Sequence, residues 1–381
     1  MLADEPGRRR GGASRAFGGH VERIRVGIVY GGRSVEHEVS IASATSILQA
    51  LDPSRYEVAL IAISKDGRWH LGGPAMLPEQ VVEADEVQLP ATPGRRTLIS
   101  ARDGRPAARL DVVFPIVHGT GGEDGSLQGF LELAGIPYVG AGVLGSALQM
   151  DKEVTKRLLA AAGLPVVPGI CVRRAELEGD GEAAARRALE TVGLPAFVKP
   201  ACLGSSVGIS KVRHAEALLP ALREAARYDT KLLVERAVEA REIEVAVLGG
   251  DTPEASLPGE IVPHAEFYDY ESKYVDEGTE LRVPAPLDET QTARVRELAL
   301  EAFRVLEGYG IARVDFFLER ATDEILLNEV NSLPGFTEVS MYPRLWQASG
   351  LPYPALLDRL IELALERHRE GASLERSYRV G

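Results

Sequence analysis

Ile24-Arg-Val-Gly-Ile-Val-Tyr30 runs straight into Gly31-Gly32, after which Val39, Ile47 and Leu51 recur at multiples of four with small residues between them. An apolar run, a glycine turn and a four-residue spacing read as strand, turn and helix, the opening of a βαβ unit. Val58–Ile63 and Asp111–Val117 are further apolar strands, and Ser126–Ala134 is expected as a helix. Asp52-Pro53, Asp66-Gly67 and Asp103-Gly104 mark turns between them. The first lobe, residues 24–140, is therefore expected to be an open α/β sheet.

Moving outward, a second region over 141–234 carries a helix from Asp151 to about Ala162, stopped by Gly163 and Pro165. Short strands at Ala196–Lys199 and Val207–Lys211 enclose the small-residue loop Gly204-Ser205-Ser206. Towards the C terminus the pattern changes. Strands at Lys231–Glu235, Glu242–Leu248, Ala312–Leu318 and Glu324–Glu329 come as hairpins, beside a helix from Glu289 to about Leu306 and another from Pro354. Hairpins imply an antiparallel sheet, so 235–381 forms a lobe of a different kind and the chain is α/β, or α+β overall.

A chain of 381 residues is too long for one ordinary core, and lobes sharing clefts are expected. Hydrophobic residues at 45% and charged residues at 26% are those of a globular protein that folds in water. A net charge of −13 excludes non-specific nucleic-acid binding, which needs a basic surface. Any polyanionic ligand must then meet a local cluster of Lys, Arg or metal. Residues 1–23, rich in Gly, Arg and Ala, are expected to be a disordered tail without the apolar core of a secretory signal. No stretch is apolar for the roughly 18 residues a membrane span needs. Cys171 and Cys202, the two cysteines, are expected as free thiols in a reducing cytoplasm.

Asp315 lies in an apolar strand, Ala312-Arg-Val-Asp-Phe-Phe-Leu318, where a carboxylate is costly unless paired or coordinated. Glu329 and Asn331 flank Val330, so strand alternation puts both on one face. Three hard oxygen donors suit Mg²⁺ on nucleotide phosphates, although Glu329 and Asn331 alone read equally as a solvated strand end. Arg313 shares the face of Asp315; it is either a plain salt bridge or a cation for charge developing on a transferring group.

Lys199-Pro-Ala-Cys-Leu-Gly-Ser-Ser-Val-Gly208 has the low bulk of a loop that covers phosphates, though by itself it is as readily an ordinary turn. Lys152, Lys199 and Lys273 are cations for such phosphates, or simply solvated surface. Glu235 and Glu242 flank a strand junction where a nucleoside finds acceptors, although by themselves they read more readily as ordinary surface carboxylates. His118-Gly-Thr-Gly-Gly-Glu-Asp-Gly125 closes an apolar strand ahead of a helix, the end of an α/β sheet at which ligands bind, although a lone His there is more usually structural. Glu36 and Glu38 sit at the first strand–helix turn, as ligand contacts or as acids favoured by the helix dipole.

In order along the chain, these segments resemble the D-alanine–D-alanine ligases of the ATP-grasp superfamily from about Arg25 to the C-terminal helix. The matching motifs are Gly31-Gly-Arg-Ser-Val-Glu-His-Glu-Val-Ser40, His118 to Gly125, Met150-Asp-Lys152, Lys199 to Gly208, Phe267-Tyr-Asp-Tyr-Glu-Ser-Lys-Tyr274, and Asn328-Glu-Val-Asn-Ser-Leu-Pro-Gly335 with Ser340-Met341. The resemblance implies a three-lobed ATP-grasp architecture. It also implies a reaction in which ATP phosphorylates one D-alanine and a second D-alanine attacks the acyl phosphate. Lys152, Lys199, Ser205, Ser206, Glu235, Arg236, Val238, Glu242 and Lys273 would then hold ATP. Asp315, Glu329 and Asn331 would hold two Mg²⁺, with Mn²⁺ as substitute.

By the same resemblance Arg313 and the Gly335 main chain stabilise the tetrahedral intermediate, Glu36 and His118 meet the first substrate, and Ser340 and Met341 meet the second. Glu36, Ser205 and Tyr274 match a trio that closes a loop over the site, and Lys273 stands beside it. Relatives that use D-lactate commonly carry His where Tyr274 stands, which favours an amine nucleophile here. Cys202-Leu203 departs from the polar residue many relatives have before Gly204. A D-lactate or D-serine ligase and a non-catalytic nucleotide-binding protein are the alternatives. A cytoplasmic homodimer is the implied state.

Overall fold

A computed structural model describes residues 23–73, 76, 78–205, 207–262 and 279–375. Ser206, Lys273 and Tyr274 lie outside the described residues. Three sheets form among those described.

The first sheet grows from β1 (Ile24–Gly31), which pairs in parallel with β2 (Tyr56–Ile63) and with the more distant β7 (Val112–Ile116). Val26, Ile28, Val29 and Tyr30 are fully buried, as expected of a parallel strand covered on both faces. At the end of β1, Gly31 has φ +87°, and a Cβ there would lie 2.3 Å from the Ile63 carbonyl oxygen. Only glycine makes that turn, which delivers the chain into α1 (His37–Ala50). The expected strand, turn and helix are all present, and α2 (Ser126–Ala134) has the expected bounds.

The sheet also extends beyond what the residues suggested. β3 (Trp69–Leu71), β4 (Asp85–Gln88), β5 (Thr97–Ser100) and β6 (Pro106–Arg109) add antiparallel strands, giving the order β6-β5-β4-β3-β2-β1-β7. These strands are three or four residues long and mostly exposed or half-buried, too short for alternation to register.

Helices α3 (Val143–Met150) and α4 (Lys152–Ala161) follow. The Asp151 carboxylate caps α4 by accepting the Val154 N–H at 3.1 Å. The second sheet has the order β10-β9-β11-β8, all antiparallel, from β8 (Gly169–Arg173), β9 (Ala196–Pro200), β10 (Ser210–Val212) and β11 (Lys231–Arg236). Its apolar face packs on α5 (Arg174–Val192) and α6 (Leu218–Ala225) through Val172, Ala188, Val198, Leu222 and Leu232. The strand expected over Val207–Lys211 is corrected: Val207 and Gly208 form a turn, Gly208 at φ +74°, and pairing starts only at Ser210.

The third sheet is antiparallel, as its hairpins implied, except that Lys231–Glu235, expected with these strands, pairs with β8 and β9 in the second sheet instead. It runs β15 (Glu280–Arg282), β14 (Gly259–Val262), β12 (Ala240–Gly249), β16 (Gly310–Glu319), β17 (Ile325–Asn331), with β13 (Glu254–Ala255) also on β12. One face, with Ile243, Val245, Val314 and Phe316, is buried on Val295, Leu298, Ala302 and Phe303 of α7 (Glu289–Val305). At one end of the opposite face, Ala246, Leu248 and Ile311 join a core shared with α8 (Met341–Ala348), α9 (Tyr353–Ser373), and Ile28 and Phe114 of the first sheet. Each large apolar side chain buried there contributes roughly 1.5–3 kcal/mol, so the first and third sheets are held together by packing. No helix among the described residues is long and apolar enough to cross a membrane.

Candidate active site

The other end of that second face is polar. It forms one wall of a cleft of about 1350 Å³, which also takes in the turn after β1, the loop after β9 and the residues after β17. Every described residue assigned a substrate, nucleotide, metal or catalytic role from the sequence lines this cleft.

Strand register builds the first wall. Asp315 of β16 pairs across to Glu244 of β12 on one side and Glu329 of β17 on the other, while Arg313 pairs with Asn331. Residues directly opposite one another share a face, so Glu244, Arg313, Asp315, Glu329 and Asn331 all point into the cleft. A bulge after Asp315 shifts the register, and Leu327 turns into the core beneath while Glu329 stays on the polar face. The Arg313 guanidinium donates from Nε and Nη2 to the two Asp315 carboxylate oxygens, both at 2.7 Å, and its Nε lies 3.0 Å from Glu244 Oε2. Asn331 Nδ2 donates to Asp315 Oδ2 at 2.9 Å. Burial alone would lower the pKa of Arg313; Asp315 and Glu244 outweigh it and hold the group well above its ordinary value. No group of three or more His, Cys, Asp or Glu forms a metal cage among the described residues. The converging donors are two carboxylates and an amide, an all-oxygen set suited to a hard cation that keeps water and phosphate ligands.

The facing wall is cationic. α4 presents Lys152 and, one turn on, Lys156. Lys152 Nζ donates to the Leu203 carbonyl at 2.9 Å, at the root of the loop after β9, and lies 3.5 Å from Glu329 Oε2. Lys156 Nζ sits 2.5 Å from Glu235 Oε1, and Lys199 pairs with the other oxygen of the same carboxylate. Burial alone would raise the Glu235 carboxyl, yet the two ammonium groups hold it below its ordinary value. Burial pushes Lys156 down, whereas Glu235 and Glu329 outweigh burial at Lys199 and raise it.

Between the walls the loop after β9 bends over the cleft. Ser205 adopts φ +52°, and its hydroxyl donates to Glu36 across 169 residues of sequence. His118 is buried, with Nε2 3.1 Å from Ser43 Oγ and Nδ1 3.1 Å from the Leu333 carbonyl oxygen. Burial pushes its pKa down. Glu123 accepts the Gly119 N–H at 2.7 Å, and burial beside Glu36 pushes its carboxyl up to about 8. Ser340 occupies the N-cap position of α8 ahead of Met341 without a side-chain capping bond, its Oγ instead lying 2.7 Å from Thr337 Oγ1. A Cβ on Gly335 would stand 3.3 Å from Ser340 Oγ, so the main chain there lies close against Ser340, and both line the cleft. Arg236, on the hinge that carries Val238 from β11 into β12, donates to Glu319 at 3.0 Å.

Residue reasoning passed over Lys156, Glu244 and Glu123. The signals were present: Lys156 is four residues after Lys152 on one helix, Glu244 two after Glu242 on one strand, and Glu123 lies within the glycine-rich segment His118–Gly125.

Residues 25–141 match the family model described as D-ala D-ala ligase N-terminus, and residues 158–362 the one described as D-ala D-ala ligase C-terminus. The chain belongs to the D-alanine–D-alanine ligase family. A D-alanine–D-alanine ligase A of Chromobacterium violaceum is 51% identical over 365 residues, spanning 93% of this chain and 99% of that protein. Among solved structures, the D-alanine–D-alanine ligase of Coxiella burnetii superposes with a TM-score of 0.82 at 41% identity, covering 92% of this chain and 96% of that one. The VanG D-Ala:D-Ser ligase of Enterococcus faecalis gives 0.81 at 33% identity, covering 90% and 100%. The three-sheet architecture is accordingly the ATP-grasp fold of D-alanine–D-alanine ligases, as the order of motifs implied.

Proposed function

We propose that this chain joins two D-alanine molecules at the expense of ATP, releasing ADP and phosphate through an acyl phosphate, and so supplies a peptidoglycan precursor. The observation that carries this reading is the opposed pair of walls in one cleft: buried lysines beneath a small-residue loop, facing an arginine set among carboxylates. The cationic wall suits the phosphates of ATP, held by Lys152, Lys199 and the loop at Ser205 and Ser206 together with Lys273. The hinge at Glu235, Arg236, Val238 and Glu242 takes the adenosine end. Because the Glu235 side chain is engaged by two lysines, its share in nucleoside contact falls to the main chain.

Arg313 and the main chain at Gly335 stabilise negative charge on the tetrahedral intermediate. Glu36 orients the ammonium of the first D-alanine near His118, and Ser340 with Met341 meets the carboxylate of the second. The Ser205–Glu36 contact, completed by Tyr274, holds the loop down and keeps water from the acyl phosphate. Asp315, Glu329 and Asn331 fit Mg²⁺, two ions by resemblance to the family, with Mn²⁺ able to substitute; bound metal neutralises phosphate charge. The site of action is the cytoplasm, and the working unit a homodimer.

A coupled ADP-release assay with D-alanine against L-alanine tests the reading: D-alanine alone is expected to drive turnover. Product analysis at neutral pH with D-alanine, D-serine and D-lactate in competition is expected to yield D-alanyl-D-alanine. Predominant depsipeptide, or the mixed D-serine product, overturns the choice of second substrate.

A further inference from the structure

Lys156 is buried in the cationic wall, behind the residues that line the cleft, and is given no substrate contact above. A buried ammonium is costly unless it is paired, so its partner indicates its purpose. That partner, Glu235, is itself buried and is shared with Lys199, which does line the cleft. Two positive groups thus share one negative group. With Lys156 present, Glu235 neutralises only part of the local charge, and a surplus remains at the cleft surface on Lys199. Without Lys156, Glu235 and Lys199 would form a closed neutral pair. Glu329 and Glu242 add negative field at Lys199, and Glu329 also acts on Lys156, so the surplus is needed against a strongly acidic background.

We propose that Lys156 is a positioning residue for the nucleotide: by taking up one oxygen of Glu235 it leaves Lys199 a net cation towards the phosphates of ATP. This rests on the reading of the cleft as a nucleotide site. Lys156 touches neither nucleotide nor amino acid; it acts through the carboxylate.

The test is ADP binding by calorimetry on the full chain, together with steady-state kinetics, for Lys156→Met, Lys156→Gln and the double variant Lys156→Met/Glu235→Gln. Both single variants are expected to weaken ADP binding and raise KM for ATP by about tenfold or more, through loss of one cleft charge. The kcat at saturating ATP and KM for D-alanine should stay within about threefold. Lys156→Gln keeps a hydrogen-bond donor for Glu235, so a merely structural lysine would be replaced by it without effect. The double variant restores the charge balance and is expected to recover most of the lost affinity. ADP binding like wild type in Lys156→Gln, or a double variant no better than Lys156→Met, overturns the proposal. A wild-type chain that binds no ADP overturns the nucleotide site itself, a separate outcome.

Discussion

The two walls of the cleft carry opposite charge surpluses and are built by opposite means. On the third sheet, Glu244, Asp315 and Glu329 outnumber Arg313, and strand pairing sets them side by side at fixed spacing. Facing them, Lys152, Lys156 and Lys199 outnumber Glu235; two come from one helix face and one from a strand of the second sheet. The chain as a whole carries −13, so the acidic wall follows the average and the basic wall opposes it. The contrast teaches that the basic and the acidic groups of the cleft are supplied by separate secondary structures, and that the cleft lies where the two meet. Burial makes both walls expensive, and in each an oppositely charged residue at the centre offsets the cost.

The severest way to break the acidic wall is Arg313→Met. Glu244 and Asp315 would lose their shared guanidinium inside the protein, at a cost of about 3–5 kcal/mol in stability. Urea unfolding should show it, alongside turnover too low to detect; a midpoint like wild type would mean that Arg313 does not balance this wall. Glu329→Gln is gentler, reducing the wall's charge while keeping its shape. Phosphate release from ATP plus D-alanine should fall by about a hundredfold to a thousandfold with the unfolding midpoint unchanged. Undiminished release would take Glu329 out of the metal set.

Glu123→Gln probes the seam between the walls through pH. A carboxyl raised to about 8 in the fold holds its proton where the unfolded chain, at about 4.3, has lost it. The contribution of Glu123 to wild-type stability should therefore decline as pH rises through that window and level off above it, by at most a few kcal/mol. The variant keeps a neutral side chain, so its midpoint relative to wild type should climb from pH 4 to pH 8; a constant difference would disprove the raised pKa. Smallest of all, Ser205→Ala removes the loop's bond to Glu36 and should lower turnover about tenfold, equivalent to about 1.4 kcal/mol. Its signature would be acyl-phosphate loss to water, read as ADP released in excess of dipeptide.

Much of this molecule was legible along the chain because its signals are local. The run into Gly31-Gly32 and the spacing behind it specify β1 and α1, since a continuous apolar strand and a glycine with positive φ each have few alternatives. The hairpins of the third sheet were equally plain, and alternation alone placed Arg313 with Asp315 and Glu329 with Asn331. Strands β3 to β6 were not visible, being too short and too exposed to show a period. Val207 looked like strand by composition, but the turn at Gly208 claimed it.

The sequence by itself therefore determined the longer strands and helices and the pool of chemical groups, because periodicity tells which way each side chain faces within its own element. Which charges meet was decided only by the tertiary structure. Lys156 and Glu235, or Glu36 and Ser205, are far apart along the chain, and no local pattern links them. Their pairing follows from the packing of whole sheets against one another, and so does the division of one acidic chain into a cationic and an anionic wall.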